Sequence, residues 1–303
     1  MENKTNYEDR ELITPKEAYK KVKFVLWIIL VANLGVAVTK IIVGYLINSA
    51  SLSTDGIHSL SDGLSNIVGI VGITIASKPV DKNHPYGHKK SEIVASLFIG
   101  GMLLLLGLKT LFTGINRFVE PQDLNITLVS IISLIITICI NIFVTTYERK
   151  KGEKYNSYIL VSDSIHTKSD IYISVGVLIS LIGIRFGLPQ IIDPIISIII
   201  SVFILHASYE IFKESIGILL DKAVIEEEKI MEVLNTFPEI KDIHKIRSRG
   251  SANDIYIDMH IMIEPDTTLE ESHILTHRIE EEIKREISNN CQVIIHVEPY
   301  HNM

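Results

Sequence analysis

Cysteine is nearly absent: the 303 residues contain two, Cys139 and Cys291. That excludes a disulfide framework and an all-cysteine zinc site within one chain. No HExxH motif lies in the apolar stretches, so the helix-borne zinc-protease arrangement, with its catalytic Glu, is missing. No glycine-rich loop ending in GK[S/T] is there to cradle the phosphates of a nucleotide, which argues against direct ATP drive. Positive charge is not in excess either. A formal net charge of −7 and a pI near 5.9 are the wrong balance for a nucleic-acid binder. The opening "MENKTNYEDRELITPKEAYKKVK" is polar and too long for the charged head of a cleavable signal peptide.

What the chain has in quantity is aliphatic side chain. Hydrophobic residues make up 47%, and the mean hydropathy is +0.30. Roughly 20 consecutive apolar residues cross a bilayer, and the sequence offers six such windows, near 23–47, 51–77, 93–117, 124–147, 157–184 and 190–212. Lys20, Lys21 and Lys23 precede the first. Lys78, Lys82, Lys89 and Lys90 follow the second, and Arg149, Lys150, Lys151 and Lys154 follow the fourth. The "LINSAS" and "VEPQDLN" connections carry no Lys or Arg. The positive-inside rule then predicts a multi-pass protein of the cell membrane with both termini in the cytoplasm.

Three regions follow: a cytoplasmic N-terminal segment over 1–22, a six-span domain over 23–212, and a polar domain over 213–303. In the last region "DKAVIEEEKIMEVLNTF" has helical periodicity, and "DIHKIRSR" and "NDIYIDMHIMIEP" alternate like strands. "LEESHILTHRIEEEIKREI" reads as an amphipathic helix and "CQVIIHVEP" as a short strand. The predicted fold is an all-α six-helix transmembrane domain plus a cytoplasmic α+β domain of order αββαβ, ferredoxin- or metallochaperone-like.

The second and fifth windows hold the polar signal. Residues 55–62 read "DGIHSLSD" and residues 163–170 read "DSIHTKSD". Positions i, i+3 and i+7 share one helical face. Asp55, His58 and Asp62 thus form one stripe, and Asp163, His166 and Asp170 another. At 1.5 Å rise per residue, Asp62 lies roughly 17 Å and His166 roughly 14 Å from the respective span ends, near the midplane of a core about 30 Å thick. Two antiparallel helices can present His58, Asp62, His166 and Asp170 to one point. Two imidazoles and two carboxylates suit a four-coordinate divalent cation, Zn2+ above all. A bare carboxylate at that depth costs at least ~2.5 kcal/mol, which a cation would offset. Lys168 points to another face of its helix.

The same donor types recur outside the spans. Asp81, His84 and His88 sit in the turn "PVDKNHPYGHKKSE" with D-x2-H-x3-H spacing. Strand alternation puts Ile255, Ile257, Met259 and Ile261 on one face and Asp258 and His260 on the other. It likewise separates Val293, Ile295 and Val297 from His296 and Glu298.

With six spans, a paired HxxxD and an αββαβ tail, the chain resembles the cation diffusion facilitator family over nearly its whole length. The resemblance implies a divalent-metal/proton antiporter, usually a homodimer. It assigns the transport site to His58, Asp62, His166 and Asp170, and a second site to Asp81, His84 and His88. It implies a regulatory binuclear site at His244, His260, His273, His296 and Glu298, the last standing where relatives often carry Asp. His277 and His301 have no counterpart and read as solvated. Asp55 and Asp163 are accessory candidates, attracting the cation on the outer and the cytoplasmic side. Histidine at both first positions implies Zn2+ as substrate. Export of Mn2+, Fe2+, Co2+ or Cd2+, or a membrane metal sensor without transport, are the alternatives.

Overall fold

The computed structural model describes residues 15–46, 50–119, 128–251 and 253–301. The chain forms two compact units, Met1–Ser215 and Ile216–Met303.

Among the described residues, six long helices come first: α1 (Pro15–Leu46), α2 (Ala50–Ala76), α3 (Lys90–Val119), α4 (Leu128–Tyr155), α5 (Tyr158–Arg185) and α6 (Ile192–Leu219), the last running four residues past the first unit. The shortest has 27 residues, or about 40 Å at 1.5 Å per residue, more than the core of a bilayer. Among the described residues, four stretches are long and apolar enough to cross a membrane: Glu17–Ile42, Lys90–Phe118, Tyr158–Ile184 and Ile192–Leu219. In α2 the described apolar stretch is shorter, Gly63–Ala76. Several helices outrun the spans expected from hydropathy; α1 begins at Pro15 and α4 continues to Tyr155. Helical hydrogen bonding does not stop where the apolar run ends.

Large apolar side chains such as Phe24, Phe98, Phe143 and Phe203 point outward, as a lipid-facing surface requires. The interior holds Leu26, Ile29, Ile73, Ile99, Ile159 and Leu160 in one cluster. Leu103, Ile204 and Ile211 form a second. Helix α2 packs against α1, α3 and α5, and α5 packs against α3 and α4. Glycine lets two helices approach closely. A Cβ at Gly107 of α3 would lie 2.9 Å from Leu205 Cδ2 of α6, and one at Gly100 would lie 2.9 Å from Ile211 Cγ2. Small residues at helix contacts are how backbones close up where lipid supplies no hydrophobic drive.

The second unit contains α7 (Glu227–Leu234), β1 (Asp242–Ser251), β2 (Asp254–Ile263), α8 (Leu269–Glu286) and β3 (Cys291–Pro299). The sheet order is β1-β2-β3, with β2 antiparallel to β1 and parallel to β3. A parallel pair needs a crossover, and α8 provides it. Ile255, Ile257, Met259 and Ile261 are buried with Ile230, Leu234, Leu275, Ile279 and Ile283. That leaves the other sheet face to the polar members of the alternation. Helix α7 is shorter than the periodicity from Asp221 implies. The N–H groups of Val224 and Ile225 donate to Ser248 Oγ at 3.2 and 3.0 Å, so this stretch is tied to β1 instead of coiling.

Candidate metal-binding sites

Helix α5 is pinned at its first turn. Ser157 caps it by accepting from the Leu160 N–H, and its hydroxyl donates to Glu92 Oε1 of α3 at 2.7 Å. The same oxygen accepts from Ile159 N at 3.5 Å. A carboxyl against a helix N-terminus is favoured by the macrodipole, so α3 fixes the start of α5. One face of α5 then turns inward: Asp163 is fully buried, and His166, Thr167 and Ser169 are nearly so. Lys168 is exposed and lies over the Tyr172 ring.

His166 Nδ1 is sealed from solvent and has no hydrogen-bond partner. Asp170, one turn on, borders a cavity of about 230 Å3 lined also by Asn33, Lys40, Ser59, Asn141 and Ser174. These residues lie toward the bundle end where α1 and α5 finish and α4 begins. Lys40 is buried and donates to Ser59 Oγ at 3.1 Å. Asp55, His58 and Asp62 lie on α2, which packs on α5, but their side chains lie outside the described part of the structure.

From the cavity lining, Asn33 donates to Asn66 Oδ1 at 3.0 Å, and Asn66 in turn donates to Asp163 Oδ2. Glu148 of α4 is fully buried beside Asp163, although its neighbours Arg149 and Lys150 are exposed. Sequence reasoning missed Glu148 because it opens a basic run, "ERKK". It missed Glu92 and Asn66 because each is a lone polar residue beside an apolar stretch. Position along the chain gives no sign of the neighbour each one meets.

The turn between α2 and α3 gathers all three expected residues. Asp81 Oδ1 accepts from the N–H groups of Asn83 and His84 at 2.9 and 2.7 Å and lies 3.1 Å from His84 Nδ1. Asp81 Oδ2 lies 3.4 Å from His88 Nε2. The backbone N–H of His84 holds the Asp81 carboxyl below its usual range. One donor atom from each of Asp81, His84 and His88 falls within 4.8 Å of the others.

The sheet builds the third cluster by register. His244 stands opposite His260 on β2, and His260 opposite His296 on β3. Glu298 joins them: His260 Nδ1 lies 2.7 Å from Oε1, His244 Nε2 lies 3.2 Å from Oε2, and His296 Nε2 lies 3.5 Å from Oε1. The hydrogen bond from His260 is the largest cause that depresses the Glu298 carboxyl. His244, His260 and Glu298 meet the same 4.8 Å condition. Asp242, not anticipated, lies 3.3 Å from His244 Nδ1 and can orient that ring. His273 is not brought to this cluster within the chain. It sits exposed on α8, its Nε2 3.2 Å from that of His277.

Comparison with known proteins agrees with this architecture. The cation efflux transmembrane domain matches residues 26–220, and the cytoplasmic domain of cation efflux proteins matches residues 224–300. The chain is 30% identical to the manganese efflux system protein MneP of Bacillus subtilis, over 90% of this chain and 94% of that protein. It is 29% identical to a cadmium, cobalt and zinc/H(+)-K(+) antiporter of the same organism, over 88% of this chain and 86% of that one. It is 27% identical to the cation-efflux pump FieF of Cronobacter sakazakii, over 89% and 90%. Among solved structures, the metal-bound C-terminal domain of the CzcD transporter from Thermotoga maritima is 30% identical, covering 25% of this chain and 87% of that one with a TM-score of 0.23. With both of its units matched, the chain belongs to the cation efflux (cation diffusion facilitator) family of multi-pass membrane transporters of divalent cations, and is a transporter rather than an enzyme.

Proposed function

We propose that the protein exports a divalent transition-metal cation from the cytoplasm in exchange for protons, with Zn2+ as first substrate, through His58, Asp62, His166 and Asp170. The observation that carries this reading is His166: a buried imidazole nitrogen with no partner, one helical turn from Asp170, which lines a cavity. An unpartnered ring nitrogen is a potential ligand for a metal. Two imidazoles with two carboxylates match the tetrahedral preference of zinc. Ligands must lose protons to bind metal, and imidazole titrates near physiological pH. Metal and proton therefore compete for the same atoms, which is the coupling an antiporter needs.

The lysine-rich connections support placing both termini in the cytoplasm. The cavity at Asp170 then faces outward, and the layer of Asn66, Asp163 and Glu148 lies on the cytoplasmic side. Alternating access rocks one part of the bundle about this fixed site. The turn cluster Asp81–His84–His88 and the sheet cluster around Glu298 serve as cytoplasmic metal sites, the second regulating activity in a homodimer to which His273 contributes.

A second reading, Mn2+ as the main substrate, is favoured by the names of the relatives: MneP and MneS of Bacillus subtilis are both manganese efflux proteins. Uptake into proteoliposomes with an imposed proton gradient tests both. Gradient-driven Zn2+ flux should vanish in Asp170→Ala. Flux of Mn2+ alone would keep the mechanism and change the substrate. Flux that persists in Asp170→Ala, or no flux of any metal in the intact chain, would overturn the proposal.

A further inference from the structure

Glu148 is where the sequence least invites a buried charge. It ends the apolar run of α4 and is followed by Arg149, Lys150 and Lys151, yet it has 0% exposure while the two residues after it face solvent. Its Oε2 accepts from Thr167 Oγ1 at 3.3 Å. Its Oε1 is sealed and receives no hydrogen bond. Asp163, also at 0% exposure, is in the same condition: Oδ2 accepts from Asn66, and Oδ1 is sealed and receives none. The two carboxyl groups interact directly. Ser65 also hydrogen-bonds Asp163, and His166 and Asp170 are the next charged or titratable groups that bear on the pair.

Each element contributes to this arrangement. Helix α2 supplies Ser65 and Asn66, the latter locked in orientation by Asn33 of α1. Helix α4 supplies Glu148, and α5 supplies Asp163 and Thr167. Thr167 Oγ1 lies 3.2 Å from the Asp163 carbonyl oxygen as well as 3.3 Å from Glu148, so it holds the two acids at one level. A buried carboxylate without a counter-charge is costly, and two in contact are more so. Among the described residues, neither has a Lys or Arg partner. Something positive must stand between them when both are ionised.

We propose that Glu148 and Asp163 form a second cation site, an all-oxygen one, which receives the transported metal on the cytoplasmic side before it reaches His166 and Asp170. The proposal rests on the export reading above. Along α5 the steps are three and seven residues, about 4.5 and 10.5 Å at 1.5 Å per residue, short enough for one ion to pass from oxygen ligands to mixed ligands. Carboxylate oxygens suit hard cations such as Mn2+, and the inner site would sort metals before the nitrogen ligands do.

The competing account is a single shared proton: one acid donating to the other would occupy both bare oxygens without any metal. Glu148→Gln separates the two, because the amide keeps the shape and supplies that donor permanently. Equilibrium Mn2+ binding is measured by the loss of the free-ion magnetic resonance signal on full-length protein carrying Asp170→Asn, His84→Ala and His260→Ala. Adding Glu148→Gln should remove one Mn2+ equivalent. In proteoliposomes of otherwise intact protein, the same change should raise the metal KM on the cytoplasmic side about 10–100-fold, the usual effect of losing a metal-supporting carboxylate. Glu148→Asp should recover part of it. Unchanged Mn2+ stoichiometry and KM in Glu148→Gln would overturn the cation site and leave the shared proton. An intact chain that moves no metal would instead overturn the export reading, with the binding measurement still deciding the inner site.

Discussion

Burial pushes the Cys291 thiol, at the start of β3, up from 9 to about 11. The side chain is 3% exposed, so the folded state holds it neutral where the unfolded chain would ionise it. Below pH 9 both states are protonated and the contribution is intact; between pH 9 and about pH 11 only the unfolded state releases the proton, and stability falls. At 1.36 kcal/mol per pKa unit the loss is about 3 kcal/mol. Denaturant unfolding of the cytoplasmic unit at pH 8 and pH 11 checks this: Cys291→Ala should show a smaller drop than the parent chain. Equal drops would mean the thiol is not the titrating group. Alternation along β3 was legible in the sequence because a strand has only two faces, and Val293, Ile295 and Val297 do pack on the core. Asn66 and Glu148 were not legible, since what matters about them is the partner on another helix.

Among the elements, α8 shows best how local chemistry sets a position. Thr268 caps it, accepting from the Glu271 N–H while the Glu271 side chain accepts from the Thr268 N–H at 2.9 Å. The sequence "TLEE" carries that capping-box signature openly. The Thr268 N–H is also the largest cause that keeps the Glu271 carboxyl low. Thr268→Ala should cost about 1 kcal/mol and Thr268→Ser much less, read as the denaturation midpoint of the cytoplasmic unit; equal losses in both would show that the cap is not what holds the helix start. Because α8 is the crossover between two parallel strands, fraying there loosens β3 and with it His296 and Glu298. The order of helices and strands was readable from periodicity, but the depth of α7 was not. Ser248, more than twenty residues away, holds the stretch before α7 out of the helix.

At the scale of the whole chain, two compact units carry separate clusters of candidate metal ligands, so occupancy of each should be readable separately. A ligand that binds only the folded state adds RT ln(1 + [L]/Kd), about 2.7 kcal/mol at a hundredfold excess over Kd. Hydrogen exchange on the full-length protein, with and without Zn2+, resolves where that stabilisation falls. In the intact chain, protection should rise both in β1–β3 and in α2 and α5. In His260→Ala the rise over the strands should disappear while that in α2 and α5 persists, and Asp170→Ala should give the converse. His260 is the discriminating choice because it stands opposite His244 and His296 in the sheet register and contacts Glu298. Regulation requires more than two independent sites: metal on the sheet must favour one state of the bundle over the other. That coupling is reciprocal for binding free energies, so His260→Ala should also lower the metal affinity at the membrane site by the factor through which metal there raises affinity on the sheet. Unchanged affinity there, with transport still metal-activated, would show that the sheet cluster binds metal without governing the transporter.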